Sequence, residues 1–116
     1  MILRDMKTKL LQLATKFPVV SVTGPRQSGK STLIKNAFPT YTYLSFEDPS
    51  TRELFQADPT SFLKRHSHNV IFDEAQRVPE LFSYLQGMVD ERDEPGSFII
   101  SGSQNFLLSK SVSQSL

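Results

Sequence analysis

The chain contains no cysteine, so disulfides, thiolate metal sites and a cysteine nucleophile are all excluded. That absence fits a reducing compartment. The chain also has almost no excess of charge. Thirteen basic residues stand against 12 acidic ones, a formal balance of +1, far from the basic field of a dedicated nucleic-acid binder. A nucleic-acid partner through local contact stays open. Long apolar runs are missing too. None approaches the roughly 18 residues that a membrane-spanning helix needs, and charge interrupts the apolar residues of Met1-Ile2-Leu3-Arg4-Asp5-Met6-Lys7 from the start, unlike a signal peptide. The expectation is a cytoplasmic protein with no membrane partner.

What is present suits a globular fold. Hydrophobic residues make up 38% and charged residues 22% of 116 residues, enough for one domain with its own core. Leu3, Met6, Leu10, Leu13 and Phe17 recur at helical spacing, with Arg4, Lys7, Lys9 and Lys16 mostly off that face. This predicts an amphipathic helix over about 2–17, ended by Pro18. Its charge alternation favours packing on a core over lying on a membrane.

The β-branched run Val19-Val20-Ser21-Val22-Thr23 reads as a buried strand. A glycine loop follows, then a helix from Lys30 to Ala37. Tyr41 to Phe46 alternates and predicts a second strand. Asp48-Pro49 and Asp58-Pro59 each place an acidic cap before a proline at the first helical position, so each opens a short helix. Asn69-Val70-Ile71-Phe72 predicts a third strand ending at Asp73-Glu74. A helix from about Val78 to Asp90, a turn at Asp93-Glu94-Pro95-Gly96 and a fourth strand over Ser97 to Ser101 complete the pattern. The serine-rich tail from Ser109 onward carries no clear element. Strands alternating with helices imply an α/β fold, a mostly parallel sheet with helices on both faces.

Two motifs carry chemistry. The first is Gly24-Pro25-Arg26-Gln27-Ser28-Gly29-Lys30-Ser31, followed by Thr32. Glycines let the backbone wrap closely around phosphates, the backbone N–H groups form an anion nest, and the helix N-terminus adds partial positive charge. In such a P-loop Lys30 reaches the β- and γ-phosphates and Ser31 binds Mg²⁺. The loop from Gly24 to Thr32 is therefore the candidate ATP-binding segment. Arg26 and Gln27 occupy its variable positions and either touch ligand or face solvent.

The second motif is the apolar strand ending in Asp73-Glu74. Asp73 is the candidate second anchor for Mg²⁺. Glu74 is the candidate base for the attacking water, which favours hydrolysis over phosphate transfer. Ser103 and Gln104, just past the fourth strand, are candidate γ-phosphate sensors. The cluster Lys64-Arg65-His66-Ser67-His68 reads as a solvated helix end, with nucleic-acid contact the minority option. His66 and His68 lack a nearby third ligand.

These residues resemble the bacterial and archaeal AAA-type P-loop ATPases with a Gly-Pro-Arg-Gln-x-Gly-Lys-(Ser/Thr) loop. The resemblance runs from Gly24 to Ser31, through Phe46-Glu47-Asp48-Pro49 and Asp58-Pro59, then along Phe72-Asp73-Glu74-Ala75-Gln76-Arg77-Val78-Pro79-Glu80-Leu81-Phe82. It closes in Ser101 to Leu108 and Ser113-Gln114-Ser115-Leu116. It implies an ATPase domain that binds ATP and ADP with Mg²⁺, has sheet order 5-1-4-3-2, and assembles as a homo-oligomer. Family members usually continue into an arginine-bearing segment and a C-terminal nuclease-like domain. Residues 1–116 would then be a partial ATPase domain with four of five strands. Its P-loop strand would be an exposed edge, prone to self-association. A nucleotide-binding module with little turnover is the alternative. A helicase is a third reading, because Asp73-Glu74-Ala75-Gln76 resembles a helicase acidic box, although 116 residues cannot supply the second motor domain.

Overall fold

The computed structural model describes residues 2–23, 29–102 and 112–115. Helix α1 spans Ile2–Ala14, strand β1 Val19–Thr23, α2 Lys30–Ala37 and β2 Thr42–Ser45. Then come α3 (Pro49–Ala57), α4 (Pro59–Arg65), β3 (Val70–Asp73), a 3-10 turn (Ala75–Arg77), α5 (Glu80–Glu91), β4 (Phe98–Gly102) and β5 (Val112–Ser115). Five strands form one sheet in the order β2-β3-β4-β1-β5, and every pairing is parallel.

Three sequence expectations change. The serine-rich tail is not featureless: Val112–Ser115 pairs with β1 along its length, Val19 against Val112 through Val22 against Ser115. The sheet therefore has its fifth strand. The P-loop strand β1 lies between β4 and β5, so it is interior, and the ground for expecting self-association through it is gone. Backbone pairing explains the change. A strand added at the edge of a sheet is held by its N–H and C=O groups, and a polar sequence supplies those as well as an apolar one. The first helix also stops earlier than expected, at Ala14, where Lys16 and Phe17 N–H both turn back to the Leu13 carbonyl.

Alternation along the strands builds two cores. Val19, Val70, Phe72, Phe98 and Ile100 face one side and pack with Phe46, Phe55, Phe62, Leu81 and Leu85. Val20, Val22, Ile71 and Ile99 face the other and pack with Leu10 of α1 and Ile34 of α2. Helices thus cover both faces, as buried parallel strands require. The α1 stripe behaves as its periodicity predicts: Leu10 is fully buried, Leu13 and Phe17 half-buried, and Lys7, Lys9 and Lys16 exposed.

Capping fixes where the middle helices start. The Asp48 side chain accepts from Ser50 N–H at 2.9 Å and Asp58 from Ser61 N–H at 3.2 Å, with proline at the first helical position of each helix. At the amino edge of the sheet Gly96 closes the turn into β4 at φ +76°. Its N–H donates to Phe17 O at 2.9 Å, and its carbonyl accepts from the Tyr41 hydroxyl at 2.6 Å.

Candidate active site

Because all strands run the same way, their carboxyl ends open on one edge, the usual ligand edge of an open α/β sheet. β1 ends there at Thr23, β3 at Asp73 and β4 at Gly102, and α2 begins there at Lys30. Gly24, Pro25, Arg26, Gln27 and Ser28 of the expected loop lie outside the described residues, as do Ser103 and Gln104. Gly29, Lys30, Ser31 and Thr32 are described and together line a cleft of about 480 Å³ with Tyr43, Ser45, Glu47, Asp73 and Glu74.

Gly29 caps α2 at φ +80°. A Cβ there would meet nothing within 4 Å, so the left-handed backbone and not crowding calls for glycine. Lys30 follows in the first turn and is 9% exposed, its ammonium aimed along the cleft to within 4.0 Å of Glu74 Oε2.

Asp73 is the centre of the hydrogen-bond network. Its Oδ2 accepts from Ser31 Oγ at 2.6 Å and from the Tyr43 hydroxyl. Its Oδ1 accepts from Ser101 Oγ at 2.6 Å and from Glu74 N–H at 2.9 Å. Burial alone would raise the carboxyl, but the Ser101, Ser31 and Tyr43 hydroxyls and the Glu74 N–H outweigh it and hold Asp73 below its ordinary value. Burial first, and then the hydrogen bond to Asp73, pushes the Tyr43 phenol up to about 12.

Glu74 sits at φ 53°, left-handed for a residue that has a Cβ. Such a conformation costs roughly 1–2 kcal/mol and marks a position held by its surroundings. Here the turn directs the carboxylate back into the cleft, where Oε1 accepts from Gln76 Nε2 at 2.7 Å.

Ser31 and Asp73 thus bring a hydroxyl and a carboxylate within 2.6 Å of each other. Hard oxygen donors, few in number, are the protein share of a Mg²⁺ site whose other ligands are phosphate and water. Among the described residues no group of three or more His, Asp or Glu forms a protein cage for a metal. The donor set fits an ion shared with a phosphate.

Residues 16–116 match the family described as AAA domain. The chain belongs to that family. It is a nucleotide-binding ATPase module, and its fold agrees: the crystal structure of a DNA replication initiation factor superposes with a TM-score of 0.54 at 16% identity, covering 92% of this chain and 40% of that one. Among curated proteins, the uncharacterized Rv2008c of Mycobacterium tuberculosis and Mb2031c of Mycobacterium bovis are each 37% identical over 97% of this AAA domain. The chain spans 26% of the length of these relatives. No helix among the described residues is long and apolar enough to cross a membrane.

Within this AAA domain, Lys30, Ser31, Asp73 and Glu74 converge on one cleft, and Thr32 lines its rim. Sequence reading missed three residues that hold them. Tyr43 and Ser101 donate to Asp73, and Gln76 to Glu74. A signal for Ser101 was present, since it is a polar residue near the end of a buried strand beside β3. Nothing in the local pattern marked Tyr43, which reads as one more aromatic in an alternating strand.

Proposed function

We propose that this AAA domain binds Mg²⁺-ATP at the carboxyl edge of its sheet and hydrolyses it with water. The observation that carries the reading is the Ser31–Asp73 contact at 2.6 Å in the same cleft as buried Lys30 and Glu74. The backbone N–H groups of the loop from Gly24 to Thr32 would cradle the phosphates, with Lys30 neutralising the β- and γ-oxygens. Ser31 and Asp73 would hold Mg²⁺, which when bound offsets charge on the phosphate oxygens. Asp73 is suited to that role because it stays ionised at neutral pH.

Glu74 is the candidate base. Its carboxylate faces Lys30 on one oxygen and Gln76 on the other. A phosphate that draws Lys30 away leaves Oε2 free to take a proton from water, while Gln76 keeps Oε1 in place. Ser103 and Gln104 keep their proposed place as γ-phosphate sensors.

Binding and turnover are tested separately. ATP with Mg²⁺ at about 100 times its dissociation constant should stabilise the chain by about 2.7 kcal/mol. The resulting rise in melting temperature should vanish in Lys30→Ala. Glu74→Gln should keep the rise and lose turnover by about 10²–10⁴-fold, the range for a general base. Equal and slow turnover in wild type and Glu74→Gln, with the thermal rise intact, would leave a binding module and end the hydrolase reading.

A further inference from the structure

We propose that Tyr43 is a positioning residue whose hydroxyl orients the Asp73 carboxylate for Mg²⁺ and so sets how much Mg²⁺ the site needs. The proposal rests on the Mg²⁺-ATP reading above and assigns a residue to it that lies outside both motifs.

The argument begins with lone pairs. A carboxylate offers about four acceptor sites, and four donors occupy those of Asp73: Ser31 and Tyr43 on Oδ2, Ser101 and the Glu74 N–H on Oδ1. Only one of these donors, Ser31, is itself a candidate metal ligand. An Oδ2 lone pair given to a cation can no longer accept a proton, so that oxygen keeps room for one of its two donors. Ser31, which meets the same cation through its own oxygen lone pair, is the donor that yields. Tyr43 is then the donor that still holds this oxygen, while Ser101 and the Glu74 N–H hold the other. With the Tyr43 hydroxyl removed, Oδ2 would depend on Ser31 alone.

The placement of Tyr43 requires that residue type. In the β2–β3 register Ser45 stands beside Asp73, and Tyr43 is two residues earlier, opposite Ile71. Two residues of strand rise amount to roughly 6–7 Å. A phenol spans that gap from the same face, a serine or threonine hydroxyl does not, and a phenylalanine arrives without an oxygen. The ring is also steadied from α2, since the Lys35 ammonium lies 4.0 Å from its centroid, a cation–π contact. Tyr43 therefore ties α2, β2 and the end of β3 together at the cleft. Groups that orient a metal ligand from behind in this way change metal affinity when removed.

The test is a Mg²⁺ titration of the melting temperature of the chain at fixed ATP, beginning from EDTA. Tyr43→Phe should raise the half-saturating Mg²⁺ concentration about 10- to 100-fold, the usual effect of losing such a partner. The ATP-induced rise in EDTA should match wild type. A purely structural tyrosine would lower the melting temperature and leave the Mg²⁺ titration where it was, and that outcome overturns the proposal. Lys35→Ala gives an independent arm that keeps the hydroxyl. It should move the titration the same way by a smaller factor, and Lys35→Arg should restore it. If Tyr43→Phe does not fold, an unchanged titration in Lys35→Ala overturns the proposal by itself. A wild-type chain whose ATP response ignores Mg²⁺ altogether would instead sink the Mg²⁺-ATP reading, and this proposal with it. A wild-type chain that responds while Tyr43→Phe titrates identically sinks the positioning role alone.

Discussion

The two faces of strand β3 do different work. Val70 and Phe72 point into the core under α3, α4 and α5, where Phe72 stacks with Phe46 at 5.6 Å and with Phe98 at 6.0 Å between ring centroids. Ile71 points into the smaller core under α1 and α2, and Asp73, two residues on, continues that face to the sheet edge and meets Ser31 of α2. A single alternation thus separates apolar packing from chemistry. The aromatic face packs phenylalanine and aliphatic side chains against one another. The opposite face ends in a carboxylate held by four donors. Stability and nucleotide response should therefore be separable by substitutions one residue apart.

The largest expected effect is on the aromatic face. Phe72→Ala should lower the unfolding free energy by about 3–5 kcal/mol, the usual cost of a buried phenylalanine, as read from denaturant midpoints. Asp73→Asn comes next, at about 1–3 kcal/mol, because an amide nitrogen cannot accept from hydroxyls whose partner has been removed. The qualitative contrast is stronger than the numerical one. Asp73→Asn should lose the Mg²⁺-dependent part of the ATP thermal shift. Any folded fraction of Phe72→Ala should keep it. A Phe72→Ala variant that folds with wild-type stability would break the division of labour between the faces.

A third substitution probes the far edge of the sheet. Gly96 has φ +76°, and a Cβ there would lie 3.0 Å from Ala14 O and 3.1 Å from the Tyr41 hydroxyl. Gly96→Ala should cost roughly 1–2 kcal/mol through the left-handed conformation, with more if the contacts do not relax. The ATP response should be unaffected, because the turn sits at the amino end of β4, opposite the cleft. A lost response would show that the two edges are coupled.

Most of the fold was legible because the residues that set it act locally. β-branched runs marked β1 and β3, Asp-Pro pairs marked the starts of α3 and α4, and the helix after the glycine loop has the bounds its sequence suggested. The parts that were not legible depend on neighbours. β5 has one apolar residue in Val112–Ser115 and is defined by pairing with β1. Ser101 and Tyr43 reach Asp73 because register sets β4 and β2 on either side of β3, and local pattern carries no register. Gln76 reaches Glu74 because Glu74 is left-handed, a conformation nothing in Asp73-Glu74-Ala75 announces. The candidate ligands were readable from type and spacing, and the residues that orient them were not.

Acid should expose the same contrast more gently. The Asp73 carboxyl is held below its ordinary value of 3.8. A depressed carboxyl adds stability that is fully present above its unfolded-state value and is lost as pH falls through the folded one. Wild-type denaturant midpoints should therefore fall on acidification below about pH 4, and fall less in Asp73→Asn. Equal slopes would mean that the four donors do not favour the ionised form.

The smallest effect belongs to Asp58, which serves only its own helix. Its side chain accepts from Ser61 N–H at 3.2 Å and from Ser61 Oγ at 2.9 Å, chiefly the first of which draws its pKa below the ordinary value. The sign is the same as for Asp73: the contribution is present at neutral pH and fades as pH falls through the folded-state value. Asp58→Ala should lower the melting temperature slightly at pH 7, and the gap to wild type should narrow at strongly acid pH. Because Asp58 is exposed, salt should shrink the charged part of this effect, whereas Asp73 is buried among its donors and should respond less. A salt-insensitive Asp58 effect would mean that the cap works through geometry alone, with proline at the first helical position already fixing the start of α4.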